Sequence, residues 1–126
     1  MIAKGKVLVI DDSEGIRKLL KEICLVLGFT AITARSGDEA VRMATAELAA
    51  GVEIGVALVD MRMPGLGTVA ICEGLHNIYK EMKIFLMTGY ANCVAKSAAQ
   101  ACGACDVLNK PFTIEQIREI LEKNLN

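Results

Sequence analysis

The chain has 126 residues, of which 53% are hydrophobic, and its 14 basic and 15 acidic side chains leave a formal net charge of −1. That length allows one domain with one core. A charge near zero provides no electrostatic footprint for direct binding of nucleic acid or an anionic membrane. The apolar runs fall far short of the roughly 18 residues that a membrane helix needs, and none resembles a signal peptide. We therefore expect one soluble, cytoplasmic domain over residues 1–126.

Apolar runs and amphipathic segments alternate along the chain. Five runs are typical of buried strands, at residues 7–10, 29–34, 55–59, 83–87 and 107–108. A helical pattern follows each strand, over 16–27, from 36 to about 50, from 68 to about 79, from 92 onward and from 113 onward. Five strand-helix units in so short a chain predict an α/β fold with a parallel sheet covered on both faces.

Local signals mark the ends of several helices. Gly28 is well placed to end the first helix. Ser36 with Glu39, and Thr113 with Gln116, have the spacing of capping pairs at helix starts. Helical periodicity predicts that two further sets of side chains face the core, namely Val69, Cys72 and Leu75 in the third helix and Ile114, Ile117, Leu121 and Leu125 in the last.

Five cysteines are scattered along the chain, and two of them form a C-x-x-C pair, Cys102 and Cys105. The pair follows a helical run and precedes a strand, whereas a redox pair belongs at the start of a helix. The only histidine, His76, is distant in sequence and is expected at the surface. We favour small residues in a tight turn over a redox or zinc site.

Polar side chains follow four of the predicted strands directly. The first strand is followed by Asp11 and Asp12, the third by Asp60, the fourth by Thr88 and the fifth by Lys110. Ligands of open α/β sheets bind beyond the carboxyl ends of the strands, where these residues should meet.

The residue types at this edge suggest one chemistry. Clustered carboxylates repel one another unless a cation lies between them, and all-oxygen ligands favour Mg²⁺, or Mn²⁺ or Ca²⁺, over zinc. Lys110 offers a positive charge and Thr88 a hydroxyl donor, both suited to a phosphoryl group. An aspartate can itself be the nucleophile. The residues thus predict a Mg²⁺-dependent, phosphoryl-accepting aspartate.

Four runs in order resemble the motifs of response-regulator receiver domains of two-component signalling, in particular the chemotaxis-regulator type. The runs are VLVIDD at 7–12, VDMRMPG at 59–65, MTGYA at 87–91 and NKPF at 109–112. The resemblance covers essentially the whole chain. It implies a flavodoxin-like (βα)5 three-layer sandwich with a five-stranded parallel sheet in the order 2-1-3-4-5.

The resemblance also implies a role for each acidic residue. Asp60 would take a phosphoryl group from the phosphohistidine of a histidine kinase. Asp12 would bind Mg²⁺ directly, Asp11 mostly through water, and the main-chain carbonyl of Arg62 would be a further ligand, with Asp60 completing the set. Mn²⁺ would be an acceptable substitute for Mg²⁺.

The remaining motif residues would respond to the phosphoryl group. Lys110 would pair with it, in a loop with a cis bond to Pro111, and Thr88 would be the switch hydroxyl. Many receivers have an aromatic residue where this chain has Val107, and Tyr90 is the candidate to replace it. Arg62 and Tyr90 lie where side chains tune hydrolysis of the acyl phosphate, and we expect them to slow it.

The implied protein is a signalling phosphoacceptor rather than an enzyme, with only its own phosphorylation and dephosphorylation as chemistry. Its partners would be a sensor histidine kinase or phosphotransfer protein, and a downstream protein or an effector domain of its own. A homodimer through the face formed by the fourth helix, fifth strand and fifth helix is a further expectation.

Three alternatives remain open from the residues. An unphosphorylated receiver-like scaffold is opposed by the intact motif residues. A phosphatase of the haloacid-dehalogenase type would need a D-x-D pair, whereas Asp11 and Asp12 are adjacent. A flavodoxin-like FMN carrier would need a phosphate loop where this chain has acidic residues.

Overall fold

The computed structural model describes residues 5–62, 67–89 and 93–125, along which strands and helices alternate. In chain order they are β1 (Lys6–Ile10), α1 (Glu14–Val26), β2 (Thr30–Ala34), α2 (Gly37–Ala49), β3 (Ile54–Asp60), α3 (Thr68–Ile78), β4 (Lys83–Thr88), α4 (Cys93–Cys102), β5 (Asp106–Asn109) and α5 (Ile114–Leu125). Within these ranges, no helix combines the length and the apolar character that crossing a bilayer requires.

The five strands form one parallel sheet in the order β2-β1-β3-β4-β5. Val9 of β1 pairs with Thr33 on one side and with Leu58 on the other. The expected order 2-1-3-4-5 is confirmed. The order reverses between β1 and β3, so the carboxyl ends of these two strands are neighbours at the place where α/β sheets bind ligands.

Alternate side chains of the sheet pack into two separate cores. Val7 and Val9 face the layer formed by α1 and α5, whereas Leu8 and Ile10 face the layer formed by α2, α3 and α4. All four side chains are fully buried. The chain therefore has the three-layer, flavodoxin-like architecture that the sequence predicts.

The capping pairs predicted at two helix starts, and the glycine predicted at the end of the first helix, are all present in the structure. At the start of α5, Gln116 N donates to Thr113 Oγ1 at 3.1 Å and Thr113 N donates to Gln116 Oε1 at 2.7 Å, which satisfies two amides that the helix leaves unpaired. Ser36 accepts from Glu39 N at 3.2 Å at the start of α2. Gly28 has φ +91°, the left-handed conformation that glycine adopts without strain after a helix.

Two predicted core positions are wrong. Val69 is 46% exposed and Ile114 is 53% exposed. Each lies in the first turn of its helix, and that turn begins at the carboxyl edge of the sheet, where the strands that would cover it have ended. The other members of the two sets pack inward, with Leu125 partly buried and the rest buried, namely Cys72, Leu75, Ile117 and Leu121.

Candidate functional site

The carboxyl ends of β1, β3, β4 and β5 bring the predicted polar residues together. Carboxylate oxygens of Asp11, Asp12 and Asp60 all lie within 4.8 Å of one another. Asp11 is fully buried, Asp60 is 6% exposed and Thr88 is 8% exposed, whereas Asp12 is exposed. The sheet thus places a cluster of acidic groups at its carboxyl edge, with only one of them open to solvent.

Asp11 is held at its main chain and at both carboxylate oxygens. Its Oδ1 accepts from Ser13 N at 2.9 Å, and its Oδ2 accepts from Lys110 Nζ at 2.8 Å. Its own N–H donates to Ala34 O at 3.1 Å, which extends the pairing of β1 with β2 by one residue. A buried carboxylate needs such partners, because an unpaired buried charge is costly.

Asp60 ends β3 and is the least exposed member of the cluster after Asp11. Its Oδ1 accepts from Arg62 N at 3.1 Å, and Lys110 Nζ lies 3.6 Å from the same oxygen. Lys110 is therefore shared between two carboxylates, and it lies closer to Asp11 than to Asp60.

Burial and charge shift the pKa of both partners in this group. Burial raises the pKa of Asp60 above its ordinary value, and the charges of Asp11 and Asp12 add to the rise against the opposing effects of Arg62 N–H and Lys110. For Lys110, burial alone would lower the pKa, but the hydrogen bond and charge of Asp11, followed by those of Asp60, outweigh it and leave the pKa raised. Lys110 is accordingly a stable ammonium at neutral pH.

Thr88 and Lys110 are tied together through the main chain. Lys110 N donates to Thr88 O at 2.7 Å, beyond the last paired residues of β4 and β5. The peptide bond between Lys110 and Pro111 is cis. Both residues line an open cavity of about 390 Å³, together with Asp12, Asp60, Arg62 and Gly89.

The donor set of the cluster fits a hard divalent cation. Three carboxylates supply oxygen only, and Mg²⁺ is commonly bound by one or two carboxylates together with water and phosphate oxygens. Zinc prefers nitrogen and sulfur ligands, which this cluster lacks among the described residues. Arg62 lines the same cavity and is exposed, while Tyr90 lies outside the described residues.

Sequence reasoning missed one contact of the site. Arg17, on α1, donates from Nη1 to the main-chain carbonyl of Asp11 at 2.8 Å. The helical pattern assigns Arg17 to the outward side of α1, and it is half-buried. Its signal in the sequence is weak, because an arginine six residues after an aspartate has no distinctive spacing.

The C-x-x-C pair lies at the opposite edge of the sheet. Cys102 is buried at the end of α4, and Cys105 is exposed just before β5, where its N–H donates to Ile84 O at 2.7 Å. The thiol of Cys102 hydrogen-bonds to that of Cys72, and burial raises the pKa of Cys72 to about 12. Its burial and its raised pKa are typical of a thiol that packs in a core rather than one that reacts.

His76 is not the surface side chain that its sequence position suggests. It is half-buried, and its Nε2 lies 3.1 Å from Met82 O, within hydrogen-bond distance. Its ring also lies beside Gly103, in the turn that follows α4, and this turn covers part of it.

Comparisons with known proteins show the family to which the chain belongs. A sequence profile of the response regulator receiver domain matches residues 7–122. The sporulation initiation phosphotransferase F of Bacillus subtilis (strain 168) is 30% identical over 120 residues, which cover 95% of this chain and 93% of that protein. Two further curated relatives of Escherichia coli (strain K12), the regulatory protein AtoC and the DNA-binding transcriptional regulator NtrC, are longer, and the chain spans 26% and 25% of their length.

Solved structures share the whole fold. The structure of the chemotaxis protein CheY4 of Vibrio cholerae superposes with a TM-score of 0.85 and 28% identity, covering 98% of this chain and 100% of that one. A response regulator protein of Burkholderia pseudomallei, solved with a phosphorylated aspartic acid and a calcium ion, has a TM-score of 0.81 and 27% identity over 93% of this chain and 66% of that one. The chain therefore belongs to the response regulator receiver domain family, the phosphoacceptors of two-component signalling.

Proposed function

We propose that Asp60 is the residue that accepts the phosphoryl group, with Mg²⁺ held by the acidic cluster. One observation carries this proposal: Asp60 is a carboxylate that is 6% exposed, lines a cavity with Asp12, Thr88 and Lys110, and lies 3.6 Å from the Lys110 ammonium. A nucleophile, an exposed metal ligand, a hydroxyl and a cation thus face the same space.

The reaction that this geometry suits is phosphoryl transfer from phosphohistidine. An oxygen of ionised Asp60 attacks the phosphorus, a P–O bond forms, and the P–N bond to the donor imidazole breaks with its electron pair passing to that nitrogen. The product is an acyl phosphate on Asp60. Positioning and charge stabilisation account for most catalysis of this kind, so few groups are required.

The metal ligands follow from the exposure of each carboxylate. Exposed Asp12 is suited to bind Mg²⁺ directly, whereas both oxygens of Asp11 already accept hydrogen bonds, so Asp11 is suited to act mostly through water. Asp60 and the carbonyl of Arg62 complete the proposed set, and Mn²⁺ is an acceptable substitute. When bound, the cation would neutralise negative charge on the phosphoryl oxygens.

Lys110 and Thr88 are the proposed switch residues. A phosphoryl group on Asp60 would place new negative oxygens near Lys110, which in this structure lies 2.8 Å from Asp11. Thr88 offers a hydroxyl at the wall of the same cavity and precedes α4 by five residues. Movement of the Thr88 hydroxyl toward the phosphoryl oxygens would alter the loop that leads to α4, as a local charge change often biases a nearby element.

The wider role follows from the family. Receiver domains exchange phosphoryl groups with histidine kinases or phosphotransfer proteins and act on downstream effectors. We propose that residues 1–126 form one such domain in the cytoplasm, where ATP supplies the phosphoryl groups, and that it contacts a partner protein or an effector domain rather than nucleic acid. The face of α4, β5 and α5 is the proposed homodimer surface. Its own phosphorylation and dephosphorylation are the only chemistry proposed for it.

Intact-mass measurement after incubation with acetyl phosphate and Mg²⁺ tests the proposal. The parent protein should gain one phosphate with Mg²⁺ and none when EDTA replaces Mg²⁺, and Asp60→Asn should gain none in either case. Asp38→Asn, which changes an exposed aspartate of α2, is the matched control and should behave as the parent does. A parent that gains no phosphate would favour the unphosphorylated scaffold, and an adduct on Asp60→Asn would move the acceptor to another residue.

A further inference from the structure

The peptide that joins Asp11 to Asp12 is anchored by a side chain outside the acidic cluster. Arg17 Nη1 donates to Asp11 O at 2.8 Å, across a separation of six residues, and the bond is partly buried. Arg17 belongs to the second turn of α1, whose first turn is capped by Ser13. The arginine therefore reaches back over the start of its own helix to the turn that carries both aspartates.

The hydrogen bond from Arg17 bears on Asp12, which is the less constrained of the two aspartates. Asp11 is fixed through its own side chain by Ser13 N and Lys110, whereas Asp12 is exposed in the turn between β1 and α1. Because the peptide unit is planar, holding the Asp11 carbonyl fixes the orientation of the Asp12 nitrogen and narrows the directions open to the Asp12 side chain.

Asp12 needs such a constraint because its neighbours repel it. Its carboxylate oxygens lie within 4.8 Å of those of Asp11 and Asp60. Like charges at this separation repel, and the repulsion favours a conformation of the turn in which Asp12 points away from the other two aspartates. A guanidinium bound to the connecting peptide opposes that opening and adds a positive charge beside the turn.

We propose that Arg17 is a positioning residue for the metal site, acting through the Asp11 carbonyl to keep Asp12 directed at the cluster. This inference rests on the proposed function, because it concerns the cation that the three aspartates would hold. Residues that orient metal ligands without touching the metal typically change metal affinity by about 10- to 100-fold when they are replaced.

The test is Mg²⁺ titration of the full chain, followed by amide NMR shifts, with four proteins compared. Arg17→Met keeps the apolar stem and should weaken Mg²⁺ binding by about tenfold. Arg17→Lys retains a charge and a donor and should recover most of that loss. Arg42→Met removes the same charge from an exposed position of α2 and should keep the parent affinity.

A second readout needs no metal. In EDTA, hydrogen exchange of the Ser13 amide, which reports the turn through its bond to Asp11 Oδ1, should be faster in Arg17→Met than in the parent or in Arg42→Met. A purely structural role for Arg17 would lower the melting temperature while leaving the Mg²⁺ dissociation constant unchanged, and that result would overturn the inference. Should Arg17→Met fail to fold, Arg17→Gln carries the same expectation.

The outcomes separate this inference from the proposed function. If the parent binds Mg²⁺ and accepts a phosphoryl group while Arg17→Met keeps its affinity within twofold, the inference alone is wrong. If the parent does not bind Mg²⁺, both fail together. Weaker binding in Arg17→Met with recovery in Arg17→Lys supports the positioning role.

Discussion

Lys110 Nζ lies 2.8 Å from Asp11 Oδ2, so an ion pair joins two residues that are 99 positions apart in the chain. The Asp11 side chain is 1% exposed and that of Lys110 is 24% exposed. The lysine thus has a partner in this structure before any phosphoryl group arrives, and the proposed switch would involve sharing it with a new anion on Asp60.

The first prediction concerns the stability contribution of this pair. Lys110→Met should lower the free energy of unfolding by about 2 kcal/mol in EDTA at neutral pH, below the value for a fully buried pair because Lys110 is partly exposed. The folded protein raises the pKa of Lys110. The ion pair therefore makes its full contribution to stability below the ordinary lysine pKa, and it loses that contribution only as the pH rises through the raised pKa of the folded state.

A double-mutant cycle in urea isolates the pair. Asp11→Asn combined with Lys110→Met should show a coupling energy of about 1–2 kcal/mol. Additive effects of the two single changes would show that the ion pair contributes nothing to stability.

The second prediction concerns the charge of Asp60. Because its pKa is raised in the folded protein, the folded state binds this proton more tightly than the unfolded state does. Stability in EDTA should therefore fall as the pH rises from the ordinary aspartate pKa through the raised value. Asp60→Asn should be more stable than the parent at neutral pH, by about 1 kcal/mol, and should lack this part of the pH dependence.

Chemical denaturation at a series of acidic to neutral pH values measures this effect. Asp38→Asn serves as the control for the removal of a carboxylate, since Asp38 is exposed on α2 and lies outside the acidic cluster. An Asp60→Asn protein less stable than the parent at neutral pH would contradict the raised pKa.

The third prediction concerns the metal. A cation that binds only the folded state stabilises it by about 2.7 kcal/mol at a concentration 100 times its dissociation constant. Thermal unfolding of the parent should therefore shift upward with Mg²⁺, and the shift should be largely lost in Asp12→Ala. Equal shifts in the two proteins would remove Asp12 from the ligand set.

The fourth prediction concerns the lifetime of the acyl phosphate. Arg62 is exposed and lines the cavity, while its main-chain N–H makes the bond to Asp60, so Arg62→Ala removes the side chain and keeps that bond. We expect phosphate loss to be several-fold faster in Arg62→Ala, measured by intact mass over time. Arg42→Ala is the control for the loss of charge.

Tyr90 is predicted to shield the same group, although it lies outside the described residues. Tyr90→Ala should act in the same direction as Arg62→Ala. Rates no faster than that of the parent in both variants would exclude shielding.

Local sequence signals predict most of this fold because they act over a few residues. The Thr113 and Gln116 pair forms both bonds of its cap, and Gly28 ends α1 as its spacing indicates. Continuous apolar runs mark the inner strands because a parallel sheet covered on both faces buries most of their side chains, as in β1, β3 and β4. The site is predictable because its polar residues follow those apolar runs in the sequence, and the carboxyl ends of parallel strands meet at one edge of the sheet.

Contacts that depend on tertiary geometry are the ones that the sequence does not reveal. Val69 and Ile114 fit the apolar period of their helices, but the period carries no information on where the covering sheet ends. Likewise, nothing local indicates that Lys110 lies nearer to Asp11 than to Asp60, or that Arg17 turns back to Asp11 O.

The identity of the acceptor is the central claim, and reductive trapping tests it most directly. Borohydride reduces an aspartyl phosphate to homoserine, so peptide mass spectrometry after phosphorylation with acetyl phosphate and Mg²⁺ identifies the modified position. The account predicts homoserine at position 60 and nowhere else. Homoserine at position 11 or 12, or a phosphate adduct that yields none at position 60, would contradict it.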